Sequence, residues 1–523
     1  MLASRRRFLS TAVAAPLAAS SITKHFSRFD FLAGDDLQER LAADPLRPQC
    51  HLLPAKNWMN DPNGPIYWKG QYHMFFQYNP NAAVWGDMHW AHAVSPDMIH
   101  WRHLPVSLAP TPGWDDADGC FTGSAVDDRG TATILYTGVK SVAPELATLR
   151  DGVHNFRETQ CLATSHDPQL RTWTKWKEPV LQPPNDPLLT GFRDPFLWKA
   201  KDGWWYMGVA SGARKRGGCV LLYRSKNLRQ WEYLRPLATG EWTGREGSNP
   251  VDSGEMWECP DFFVIPRSAT QAAKCVLLYS TAGKVIWETG ELDHKEMRFH
   301  KERSGLLDHG AYYAQKTQSG EQTLWGWIPE TRPEAEFSAA GWAGCMALPR
   351  SLSLDAQNNL RMDVLTEAES LRVKVFNTDT EAAQDSARER KRLIGEIGIE
   401  NVAGEFLWET KAIAAPFSLT IMDHGGPWWS FRAEPAGSSS TKLQVNEKAI
   451  EIPTEASGEL SCRLFLDASV AEFFCNRRHA VTTRIYRKPD GPLRVAIGDA
   501  DAGALHCFDA WQLKPISSDR LTT

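Results

Sequence analysis

Three short segments of the chain carry acids in settings that could do chemistry. They are Trp58-Met59-Asn60-Asp61-Pro62-Asn63-Gly64, Phe192-Arg193-Asp194-Pro195 and Met256-Trp257-Glu258-Cys259-Pro260. Each has an ordinary reading when taken alone. Asp-Pro-Asn-Gly is a good turn sequence, Arg193-Asp194 could be a surface ion pair, and Glu258 could be a solvated strand end. Together they suit the cleavage of a glycosidic bond. That reaction needs one ionised carboxylate to attack the anomeric carbon and one protonated carboxyl to release the leaving oxygen and later activate water. A retaining enzyme holds the two about 5–5.5 Å apart. A third carboxylate can bind sugar hydroxyls and stabilise the positive charge that develops at the anomeric centre. Arg193 is expected to keep its neighbour Asp194 ionised. The chemistry requires no metal and no cofactor. The sequence shows no Cys/His cluster at zinc spacing and no Gly-rich phosphate loop in a convincing context.

Acids so far apart can act together only if the fold returns the chain to one place, and the middle of the chain does repeat itself. Each unit begins near an acid, runs into a short strand, turns, and ends in an aromatic-rich strand. The starting acids are Asp61, Asp118, Asp194, Glu258 and Asp308, which makes five units. A second pattern of strand, tight turn and strand follows within most units: Ser95-Pro96-Asp97-Met98 before Trp101, Ser165-His166-Asp167-Pro168 before Trp173, and Ser225-Lys226-Asn227-Leu228 before Trp231. A weaker version runs from Glu291 to Phe299. Two hairpins per unit predict a four-stranded blade. Five blades predict an all-β five-bladed propeller over residues 45–350, with the starting acids of the innermost strands facing one another in a central funnel. Beyond residue 350 the pattern changes. A polar stretch near 379–397 reads as a linker or surface helix. Short alternating segments such as Phe417–Ile421 and Leu464–Asp467 then predict a β-sandwich over 351–523.

Composition narrows the function classes. The 523 residues suffice for two domains. A net charge of −5 without a Lys/Arg stripe gives no field for nucleic acid. Most of the 22 Trp are expected in cores, and a minority could stack on sugar faces. Ten Cys occur without CxxC pairs, so no disulfide-dependent fold is expected. Arg5-Arg6-Arg7-Phe8-Leu9, followed by a mild apolar stretch, predicts a Tat-type signal within residues 1–25 and a periplasmic or extracellular protein. That stretch is too short for a stable membrane span.

The three acidic segments, in this order, resemble the signatures of glycoside hydrolase family 32, the invertase, exo-inulinase and levanase family. The resemblance extends through Phe76–Pro80, Trp85–Trp90 and Phe121–Ala125 to Leu466-Asp467 and Arg484-Ile485-Tyr486. It implies a propeller followed by a β-sandwich, and retaining hydrolysis of β-fructofuranosides such as sucrose, inulin or levan. By the same resemblance Asp61 is the nucleophile, Glu258 the acid/base and Asp194 the transition-state stabiliser. Asn60, Gln77, Trp85, Phe121, Ser124 and Arg193 are implied to line the fructose pocket, and Asp308 and Trp327 are added on blade position. Phe121 stands where the family often has Trp, which leaves the leaving-group side open. Three other readings of the same chain are a fructosyltransferase, a five-bladed propeller acting on arabinose or xylose glycans, and a non-catalytic sugar-binding propeller.

Overall fold

The computed structural model describes residues 28–267, 272–318, 322–377, 387–498 and 503–521. The export segment read at 1–25 lies outside them. A helix, Arg28–Ala43, precedes five β-sheets that form the blades and two that form a sandwich. The innermost strands of the blades are Asn57–Trp68, Gly119–Asp128, Leu189–Lys199, Glu258–Ile265 and Tyr313–Thr317. Each packs against the next in chain order, and the last packs against the first, which closes the ring. Closure is reinforced where Trp342-Ala343 pairs in parallel with Asn57-Trp58.

The local chemistry explains the repeat. Lys69-Gly70 and Arg129-Gly130 are two-residue turns with positive φ at both positions, the geometry that matches strand twist in a hairpin. In the outer hairpins Met98, Leu170 and Leu228 take positive φ, and each carbonyl accepts the indole N–H three residues on, from Trp101, Trp173 and Trp231 at 2.8–3.1 Å. The Trp thus caps its own turn.

Blades adhere through apolar side chains at their shared faces. Phe75, Trp90, Ile134 and Tyr136 join the first two. Leu135, Phe192 and Met207 join the second to the third, and Phe196, Leu222, Phe262 and Leu277 join the third to the fourth. Burying such a side chain contributes about 1.5–3 kcal/mol.

The fifth blade is completed by strands Arg350–Leu354 and Leu360–Val364. The propeller therefore runs past the boundary expected at residue 350, because these strands pair with the blade rather than with the sandwich. Helix Ala387–Gly395 falls within the polar stretch 379–397. The sandwich packs a six-stranded sheet on a five-stranded one around Phe406, Trp408, Trp429, Phe431 and Phe473. None of the ten cysteines, all of which are described, is joined in a disulfide. No helix among the described residues is long and apolar enough to cross a membrane.

A buried ionic network ties the two domains together. The Arg350 guanidinium donates to Asp308 at 3.0 Å, to Glu472 at 2.7 Å and to the Thr482 hydroxyl at 3.1 Å. His51 bridges Asp467 at 2.7 Å and Glu472 at 3.0 Å. Burial alone would lower the His51 pKa, but its two carboxylate partners raise it to about 9. Asp308 also accepts from the Thr482 backbone N–H. This corrects its assignment to the sugar pocket. Asp308 lies five residues before its innermost strand, so its carboxylate seals the domain interface.

Candidate active site

The innermost strands are irregular at one repeated level. Their pairing slips between Met59 and Pro62, Cys120 and Gly123, Arg193 and Phe196, Glu258 and Asp261, and Tyr313 and Lys316. Each slip is a β-bulge, which bends a strand and re-aims a side chain. Asp194, Cys259 and Ala314 take positive φ there, at 58°, 47° and 54°. The turn-like Asp-Pro-Asn-Gly segment is thus a bulged stretch of a continuous strand. Gly64 follows with φ 41°, and a Cβ there would lie 2.6 Å from the Ala125 backbone nitrogen.

These bulges carry the three acids to a common point. Asp61 is fully buried. One of its oxygens accepts from the Asn60 amide at 3.0 Å, and the other from the Thr122 hydroxyl at 2.5 Å. The Cys259 thiol stands 3.3 Å from Asp61 Oδ2 and 3.4 Å from Asp194 Oδ2. Asp194 Oδ2 also accepts the Cys259 backbone N–H at 2.9 Å. Glu258, the residue before Cys259, accepts from Arg193 Nε at 3.2 Å and Nη2 at 2.9 Å on one oxygen, and from the Tyr313 hydroxyl at 2.8 Å on the other. Trp257 behind it stacks on Tyr279, with centroids 3.7 Å apart. Gly218 packs on Trp257 so closely that a Cβ there would meet the indole at 2.1 Å.

Arg193 departs from the partnership with Asp194 expected from their adjacency. Its strongest partners are Glu158 and Glu258, and Asp194 acts on it more weakly. Burial opposes the guanidinium charge, but these three carboxylates hold its pKa above the ordinary value.

The remaining pocket candidates fall into two groups. Asn60, Gln77, Ser124 and Phe121 belong to the buried ring around the acids. The Asn60 oxygen accepts from the Trp58 indole at 2.8 Å, the Gln77 amide donates to the Cys120 carbonyl at 2.9 Å, and the Ser124 hydroxyl donates to the Pro195 carbonyl at 2.9 Å. Trp85 meets Phe121 edge-on at 5.9 Å and lines a 740 Å³ cavity with Asp87, Asp118, His154 and Phe156. Trp327 is buried and packs against Trp58 at 5.9 Å, so it supports the pocket wall. Thr122, Glu158 and Tyr313 also reach the acids or their Arg, and sequence reasoning did not single them out. Thr122 lies inside the Phe121–Ala125 segment, so a signal existed for it. Glu158 and Tyr313 sit in no motif.

Three carboxylic acids converging at one end of a five-bladed propeller define a carbohydrate-cleaving hydrolase. The chain belongs to glycoside hydrolase family 32, whose family description "Glycosyl hydrolases family 32 N-terminal domain" matches residues 51–363. Sucrose-6-phosphate hydrolase of Escherichia coli is 33% identical over 498 residues, covering 89% of this chain and 94% of the relative. Acid beta-fructofuranosidase of Vicia faba is 30% identical, covering 87% and 77%. Among solved structures, a Bombyx mori GH32 beta-fructofuranosidase superposes with a TM-score of 0.71 at 28% identity, covering 93% of this chain and 99% of the other. The chain is a glycoside hydrolase acting on fructosides, and the arabinose- or xylose-acting reading falls away.

Proposed function

We propose that the protein hydrolyses terminal β-D-fructofuranosyl residues of sucrose and fructans with retention. The observation that carries this reading is the convergence of Asp61 and Asp194 on the Cys259 thiol, with Glu258 one residue away. In the first step Glu258 gives its proton to the glycosidic oxygen as an Asp61 oxygen attacks the anomeric carbon. The bond to the leaving sugar breaks and a fructosyl ester forms on Asp61. In the second step Glu258 takes a proton from water, the water oxygen attacks the same carbon, and the ester bond to Asp61 breaks. The hydrogen bonds from Asn60 and Thr122 orient the Asp61 carboxylate for attack.

In this reading Asp194 binds sugar hydroxyls and stabilises the charge of the transition state. Asp194→Asn should therefore lower kcat and kcat/KM together, by about 10²–10³-fold, the scale for losing one stabilising contact to a developing charge. The fold should survive, since Asn keeps an acceptor for the Cys259 N–H. A rise in KM with kcat intact would reduce Asp194 to a binding residue.

Substrate range is tested by a product time course on sucrose, inulin and levan. Hydrolysis from chain ends should release fructose alone from the polymers. Early oligosaccharides would point instead to internal cleavage, and lengthened products from sucrose to a transferase.

A further inference from the structure

Glu158 lies on strand Asn155–Ser165, two strands away from the innermost strand of its blade, and carries none of the roles above. It is nevertheless fully buried. One of its oxygens accepts from Arg193 Nη1 at 2.8 Å. The other accepts from the Phe192 backbone N–H at 2.7 Å and from the Thr148 hydroxyl at 3.0 Å. The opposite edge of the same guanidinium holds Glu258. A buried Arg is thus shared between the acid/base and a second carboxylate, whose other partners are the Phe192 N–H and the Thr148 hydroxyl.

This arrangement answers a chemical problem. Glu258 must hold a proton when substrate arrives, yet an arginine at 2.9 Å favours its ionised form and would strip that proton. A second carboxylate on the same guanidinium cancels much of that pull. We infer that Glu158 is a positioning residue that neutralises Arg193 and so lets Glu258 keep its proton at working pH. The other groups facing this pair are Asp194 beside Arg193, Asp61 across the Cys259 thiol, and the Tyr313 hydroxyl, which donates to ionised Glu258 and can turn to accept from its protonated form. Glu158 makes the largest single charge contribution at Arg193, ahead of Glu258 and Asp194, and Glu258 adds its hydrogen bonds.

The inference rests on Glu258 being the acid/base. The test is the pH profile of kcat/KM on sucrose, whose alkaline limb reports loss of the Glu258 proton. Glu158→Gln removes the compensating charge, so that limb should move down by about one pH unit, the low end of what a nearby opposite charge does. Glu158→Asp keeps the charge and should bring the limb back toward its native position. A uniform fall in kcat with both limbs in place would make Glu158 a merely structural residue and overturn the inference. If Glu158→Gln does not fold, Arg193→Gln is compared with Arg193→Gln/Glu158→Gln, which removes both charges as a neutral pair. The limb should lie about one unit lower in the double variant, because a like charge beside Glu258 raises its pKa. Coincident limbs would again overturn the inference. Failure of the underlying reading looks different. An alkaline limb that persists in Glu258→Ala, measured on a substrate with an acidic leaving group, would belong to another residue whatever Glu158 does.

Discussion

The Asp61→Ala variant should be inactive on every fructoside, however good the leaving group, because it removes the carboxylate proposed to attack carbon. Glu258→Ala should behave differently. It should cripple sucrose hydrolysis, where the leaving oxygen needs a proton, by about 10²–10⁴-fold. It should spare formation of the fructosyl-enzyme from a substrate whose leaving group departs unaided. Breakdown of that intermediate would then be slow for want of a base, and azide should restore turnover. The product should be β-fructosyl azide, since two inversions give retention. Equal responses of the two variants to leaving group and azide, or an α-configured adduct, would exchange or cancel the roles given to Asp61 and Glu258.

Arg350→Met should loosen the junction of the two domains. It removes a cation that touches both Asp308 and Glu472 and leaves these carboxylates buried together. Breaking such a pair from one side costs about 3–5 kcal/mol, read as a fall in the urea midpoint. Adding Asp308→Asn should recover part of the loss, because one orphaned charge goes with it. KM for sucrose should stay unchanged in folded Asp308→Asn, as Asp308 faces the interface. The same network sets a pH window. His51 has a folded pKa of about 9 against an ordinary 6.5, so its stabilising contribution is complete below 6.5 and is lost as pH rises through about 9. Glu472 is buried, which would raise its pKa, yet His51 and Arg350 hold it below its ordinary 4.5. Its contribution is present above 4.5 and fades as pH falls further. Urea midpoints should therefore decline on the alkaline side in the native protein but not in His51→Gln. A midpoint unmoved by Arg350→Met would show that Arg350 does not hold the domains together.

The propeller was legible because its hairpins need particular residues. Lys69-Gly70, Arg129-Gly130 and the Trp three residues after each left-handed turn mark the same events in successive blades. The acids were legible only in part. Asp61, Asp194 and Glu258 stand at bulges, whereas Asp118 and Asp308 precede theirs. The chain shows where an acid lies but not where the pairing will slip by a residue. Asp118 consequently sits at the rim, where it accepts from the Ser141 N–H. Glu158 was invisible for another reason. It reaches Arg193 from the strand of a neighbouring blade, and no spacing along the chain encodes that contact. The residue-350 boundary failed similarly, since strands Arg350–Leu354 and Leu360–Val364 look like sandwich strands until their partners are known.

The bulges have a consequence for how such an enzyme can change over generations. The three acids are delivered by paired backbone, whereas Trp85 and His154 belong to segments that link paired strands around the mouth. Linking segments tolerate insertion and drift far better than paired strands do. Descendants of this chain can lengthen or shorten the mouth, trading a small sugar for a polymer end, while the reacting groups keep their spacing. Chemistry and diet are inherited on separate parts of the same molecule.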